Sequence, residues 1–192
     1  PRQSHQVSDR RISRPNQVFR SAIGLDAVFD VEISNRQSSL AIDTLQLKRV
    51  IETVLREEQI REAQVSLAVV ADAEIHELNR RFLQHDDATD VLSFLLNADP
   101  ARPDGEVIVS AETALNRCHE FGWNALDELT LYVIHGVLHL VGYRDKTKEQ
   151  QSRMRQRERD MLERLAISPA TRSDPNSRCA VPSRPAQGDS NT

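Results

Sequence analysis

Residues 131–146 read LYVIHGVLHLVGYRDK, and they close a run from Asn124 to Val141 that has no acid after Glu128 and is apolar on nearly every side. A helix without a polar face is a buried one, so this run is expected to form the central helix of the fold. Gly142 is placed to stop it, since glycine takes the left-handed conformation that ends helices. The segments on either side look different. Lys148 to Leu165 carries closely spaced charges of both signs, the pattern of a helix facing solvent, with Met154 and Met161 two turns apart on its inward face. Ala111 to Phe121 reads as a shorter helix ended near Gly122.

Further upstream the periodicity changes from helical to two-residue. Ala27 to Ile33 (AVFDVEI) sets Val28, Asp30 and Glu32 on one face and Phe29, Val31 and Ile33 on the other, an amphipathic strand. Asp43 or Thr44 can cap a helix in which Leu47, Val50, Ile51, Val54 and Leu55 recur at helical spacing. Gln64 to Ala71 is apolar and β-branched, a buried strand, and it runs into a helix bearing Ile75, Leu78 and Phe82. After the polar loop at 83–90, VLSFLL (91–96) and EVIVS (106–110) are separated by a Pro- and Gly-containing turn and pair as neighbouring strands. Strands early and helices late give an α+β expectation: a four-stranded mixed sheet packed with about five helices, one of them central.

Within that central helix, His135 and His139 are four residues apart, so both imidazoles project from one face about a turn from each other. A reversal at Gly142 can bring Asp145 back toward them. The offsets 0, +4, +7 for the glycine and +10 for the third ligand match the zinc-protease layout H-E-x-x-H-x-x-G-x-x-H. Two positions depart from it. Gly136 stands where a protease carries its glutamate general base, and Asp145 replaces the last histidine. A carboxylate oxygen still binds zinc, with weaker discrimination against Mn or Mg. The expected cofactor is therefore one Zn²⁺ per chain, or another divalent cation, on His135, His139 and Asp145. The plain alternative is a pair of ordinary helix histidines.

At 192 residues, 39% apolar and 28% charged, the chain fits one modest core. Its net charge of −4 divides into +3 over residues 1–26, −8 over the middle and +1 over 168–192. Both ends are rich in Ser, Pro, Asn, Gln and Arg, so residues 1–26 are expected to be a disordered basic tail, 27–167 the folded domain and 168–192 a second disordered tail. An acidic middle argues against broad, non-specific RNA affinity, because phosphate binding is dominated by cations. No run of about 18 apolar residues spans a membrane, and the first residues are polar and arginine-rich where an export signal would be apolar. With two cysteines, Cys118 and Cys179, in no paired-ligand spacing, the expected location is the cytoplasm, without membrane contact.

HGVLHLVGYRD at 135–145 resembles the H-G-x-L-H-L-x-G-Y-D-H signature of the YbeY family, bacterial rRNA maturation proteins and single-strand-specific endoribonucleases. ELNRRFLQHDDATDVLSF at 77–94 is similar to that family's block of Leu-Asn, a polar loop and Thr-Asp/Asn-Val-Leu-Ser-Phe, and DGEVIVSAETA at 104–114 resembles its Gly-Asp-Ile strand and following helix. The resemblance spans roughly residues 28–165 in the same order. It implies an α+β fold, a catalytic metal taken as zinc, and work on the 3′ end of small-subunit rRNA and in ribosome quality control. The partners it implies are single-stranded RNA and the ribosome or ribosomal proteins. On this chain it makes His135 and His139 ligands, with Asp145 where the family has a third histidine. The family's RNA-contacting loop arginine aligns with Leu83, so Arg81, or Arg80 beside it, is the expected catalytic substitute. His85 and His119 are secondary candidates as proton carriers. Two rivals remain: a metal-dependent hydrolase of another substrate, metalloprotease-like, and a non-catalytic ribosome assembly factor whose metal is structural or lost.

Overall fold

The computed structural model describes residues 27–84, 89–97, 99, 101–122 and 124–167, so the expectations for both tails and for His85 lie outside the described residues. The elements run β1 (Val28–Asn35), α1 (Thr44–Glu57), β2 (Glu62–Val70), α2 (Asp72–Leu83), β3 (Val91–Leu95), β4 (Asp104–Ser110), α3 (Ala111–Arg117), a 3-10 turn (Cys118–Phe121), α4 (Ala125–Leu140) and α5 (Lys148–Arg164). The sheet order is β1-β2-β4-β3. The first two pairings are parallel, with Val31 opposite Val65 and Leu67 opposite Val107, and β3 returns antiparallel, with Val91 opposite Val109. The expected mixed sheet with five helices is therefore what forms.

Alternation along the strands sorts the helices. Val65, Leu67, Val69, Val107 and Val109 point into one cluster with the apolar faces of α1 and α4 and with Met154 and Met161 of α5. Ala68, Val70, Leu92 and Ile108 point the other way and are covered by Ile75 and Leu78 of α2. Thus α1 and α4 cover one face, α5 packs against α4, and α2 lies on the opposite face. Local chemistry fixes the helix starts. The Asp43 carboxylate accepts from the backbone N–H groups of Leu45 and Gln46, Asn124 accepts from that of Asp127, and Thr147 with Gln150 forms a reciprocal capping box on α5.

Two details differ from the sequence reading. The helix expected over 111–121 is α-helical only to Arg117 and then tightens into a 3-10 turn before Gly122, whose φ of 68° ends it. Phe82 shares its helical stripe with Ile75 and Leu78 but stays 57% exposed, its ring edge-on to Phe94 at 5.8 Å. Among the described residues no helix is long and apolar enough to cross a membrane.

Candidate metal centre

The approach of α4 to the sheet depends on Gly136. A Cβ built there would lie 2.4 Å from Val107 Cγ1, so any side chain at this position would force helix and sheet apart. The Gly136 carbonyl also accepts a 3.3 Å hydrogen bond from Ser93 Oγ of β3. With the backbone seated on the sheet at Gly136, His135 and His139 are directed along the flank of α4, each less than a quarter exposed. At the helix end Gly142 takes φ 104°, strained for any other residue, and the chain doubles back.

That reversal brings Asp145 to the histidines. The two Nε2 atoms are 2.9 Å apart, and Asp145 Oδ2 lies 3.9 Å from that of His135 and 3.7 Å from that of His139. One donor atom from each residue falls within 4.8 Å of the others. Both Nδ1 atoms are occupied elsewhere. His139 Nδ1 donates to the Tyr143 carbonyl at 3.0 Å, and His135 Nδ1 donates to Glu158 Oε1 at 2.6 Å. A protonated Nδ1 leaves the Nε2 lone pair as the ligating one, so the outer partners select the tautomer that a cation needs. Glu158 was not singled out from sequence. The signal was there, because position 158 shares the inward face of α5 with Met154 and Met161.

The electrostatics agree with this geometry. Burial lowers the basicity of His135, but the hydrogen bond and charge of Glu158 outweigh it, and the net pKa is raised. His139 is shifted down by burial and by His135 beside it. Two nitrogens at 2.9 Å repel unless a hydrogen lies between them, so a proton on His135 Nε2 pointing at His139 Nε2 satisfies both shifts. A divalent cation would replace that proton. Two imidazoles and one carboxylate, converging and held from behind, are a donor set that fits such an ion.

Beside the cluster is an open cavity of about 300 Å³ walled by α4, α5 and the start of β3. His135 and Asp145 form one side of it, and Glu128, Tyr132, Arg117 and Arg155 are among the others. Glu128 and Tyr132 are 2% and 4% exposed, and Glu128 Oε2 and the Tyr132 hydroxyl have no hydrogen-bond partner among the described residues. Burial raises the Glu128 pKa, and burial with the nearby Glu128 charge drives that of Tyr132 far up, so the phenol stays protonated.

The other residues proposed from sequence are elsewhere. Arg81 is exposed on α2, across the sheet from α4, with its guanidinium 5.4 Å from the centre of the Phe82 ring. Arg80 is on the same helix and pairs with Glu77. Leu83 is the last residue of α2, and His119 is exposed in the 3-10 turn, outside both cluster and cavity. Structure thus brings together His135, His139 and Asp145 and does not bring Arg81 to them.

Fold and site together define an α+β protein with a His/His/Asp cluster, the donor set of a cation site, on a buried helix and the turn after it. Residues 32–166 match the family model described as Endoribonuclease YbeY, and the chain belongs to that family. It is similar to the Endoribonuclease YbeY of Pelotomaculum thermopropionicum, 37% identical over 149 residues, which cover 72% of this chain and 98% of the relative. It is likewise similar to that of Syntrophotalea carbinolica, 35% identical over 142 residues, 70% of this chain and 95% of the relative. The solution structure of TM1509 from Thermotoga maritima has 28% identity and a TM-score of 0.52, covering 78% of this chain and 99% of that one.

Proposed function

We propose that this chain is a metal-dependent endoribonuclease that cuts single-stranded RNA and acts in the cytoplasm on the 3′ end of small-subunit rRNA and in ribosome quality control, with the ribosome or its proteins as partners. The observation that carries the reading is the cluster itself: two Nε2 atoms and a carboxylate converging at one point, with both Nδ1 atoms held from behind. His135, His139 and Asp145 would hold the ion, with zinc favoured by the two imidazoles. When bound, such an ion supplies a Lewis acid and lowers the pKa of a coordinated water toward about 7. The chain's own residues do the rest. Glu158 and the Tyr143 carbonyl fix the imidazole planes, and α4 with α5 walls off the side of the cluster on which substrate must lie. We take residues 27–167 as the unit carrying the activity.

A metalloprotease-like reading has no support at position 136, where there is no room for a glutamate. An assembly-factor reading is favoured by one observation, the placement of Arg81 across the sheet from the cluster. A cleavage assay on a single-stranded oligoribonucleotide separates them. Wild type with added zinc should cut it, and chelator or His139→Ala should abolish the cut. Equal, residual cleavage in all three samples would remove the endoribonuclease reading.

A further inference from the structure

The cavity beside the metal cluster contains more charge than the cluster needs, and most of that charge is already matched. Arg117 lies 3.3 Å from Asp90 and 3.9 Å from Glu120. Glu158 is engaged by His135, and Asp145 faces the two imidazoles. What remains is Glu128 at the deep end and Arg155, which is exposed at the rim and without an ion pair among the described residues. Arg155 follows the buried Met154 by one position and lies one turn before Glu158, so helical geometry carries it to the same side of α5 as the residue that grips His135.

The deep end of the cavity has the opposite property. Glu128 and Tyr132, one turn apart on α4 and close enough to influence each other, are both more than nine-tenths buried, yet Glu128 Oε2 and the Tyr132 hydroxyl have no hydrogen bond of normal geometry among the described residues. A buried polar atom left unpaired is costly, so such a pair at a cavity wall marks a place where a ligand completes the bonding. One of these oxygens accepts and the other donates. A single hydroxyl, which is donor and acceptor at once, meets both.

We propose that this cavity is a nucleotide subsite: Arg155 meets the phosphate of the RNA residue next to the cleaved bond, and Tyr132 with Glu128 meets its ribose 2′-hydroxyl. The Tyr132 hydroxyl donates to the ribose oxygen, and the ribose hydroxyl donates to Glu128 Oε2. This assignment rests on the endoribonuclease reading above. It supplies that reading with a cation that α2 does not bring to the cluster, and with a reason to prefer RNA over DNA, since the 2′-hydroxyl is the group that distinguishes them. The volume, about 300 Å³, is at the lower end of the range for small organic ligands and admits one nucleotide.

The test measures binding in the presence of chelator, so that nothing is cut, with the full chain and two oligonucleotides of one sequence, single-stranded RNA and single-stranded DNA. Arg155→Ala should flatten the dependence of log affinity on log salt by about 0.7, the contribution of one phosphate contact on a single strand. Arg49→Ala, which removes an exposed arginine of α1 outside the cavity, should leave the slope unchanged. Tyr132→Phe keeps the ring and removes only the hydroxyl, and it should cut the RNA-over-DNA preference about fivefold, the value of one hydrogen bond. A wild-type slope in Arg155→Ala, or a wild-type preference in Tyr132→Phe, overturns the subsite. The parallel cleavage assay keeps the two questions apart. If wild type cuts RNA and these variants bind as wild type does, the subsite alone is wrong; if wild type neither cuts nor binds RNA, both readings fall.

Discussion

At the level of single residues the cluster is asymmetric, and the asymmetry has measurable consequences. His139 is backed by a neutral carbonyl and His135 by the anionic Glu158, 14% exposed in its side chain. A carboxylate behind an imidazole both orients it and increases its electron donation, and loss of such a partner typically costs 10–100-fold in metal affinity. Glu158→Gln should therefore bind zinc about 10–100-fold more weakly than wild type in a chelator competition, while its far-UV spectrum stays unchanged. Asp145 is the exposed member, with 45% of its side chain accessible. Asp145→Ala should lose the ion on dialysis, whereas Asp145→His should retain it or bind more tightly, since imidazole is the better zinc ligand. Metal content per chain after dialysis distinguishes the pair, and equal content in both variants would mean that residue 145 does not ligate. The ligand spacing was legible in the sequence because four residues of helix and a glycine reversal are local facts. Glu158 was legible only as an inward-facing position of α5, and the roles of Glu128 and Arg155 were not legible, because the cavity they line forms only where α5 folds back over α4.

At the level of elements, α4 is the member on which everything else depends. Its apolar surface on all sides was readable as burial, and its contact with β4 explains why the residue after His135 is a glycine. Gly136→Ala, with its Cβ at 2.4 Å from Val107, should lower stability by about 1–3 kcal/mol in urea unfolding, the usual cost of overpacking. An unchanged midpoint would show that α4 lifts from the sheet freely. The same helix buries Glu128, whose pKa is raised from the ordinary 4.5, chiefly by desolvation. For an acid shifted in this direction the unfolded chain ionises first, so stability is full below the unfolded pKa and is lost as pH rises toward the folded value. Glu128→Gln, which stays neutral, should be more stable than wild type at neutral pH, and its advantage in thermal midpoint should shrink as pH is lowered toward 4.5. A constant difference across that range would assign the effect to packing rather than charge. The placement of α2 was the hardest element-level feature to read. Its stripe of Ile75, Leu78 and Phe82 states that it packs, but not on which face of the sheet, and that choice decides whether Arg81 can reach the cluster.

At the level of the whole molecule, α1, α5 and the turn that carries Asp145 are tied at one knot. Arg157 of α5 pairs with Glu58 and donates to the Glu57 carbonyl at 3.2 Å, and the Tyr143 hydroxyl donates to Glu58 Oε2 at 3.3 Å. Tyr143 is also the residue whose carbonyl holds His139. A perturbation at the end of α1 is thereby two bonds from a proposed ligand, although nothing in the spacing of residues 57 and 58 announces it. The linear order of the site adds something different. Every group that forms or backs the cluster, from His135 to Glu158, belongs to one continuous stretch that follows all four strands in the chain. Chains leave the ribosome N-terminus first, at about 5–20 residues per second, and a domain folds as a unit once its parts are available. During synthesis, then, all four strands are made before the first histidine, and the glutamate that aligns that histidine follows it by about a second or more. The three donors and the carboxylate that backs His135 can stand together only once the last helix has been made and has turned back over α4.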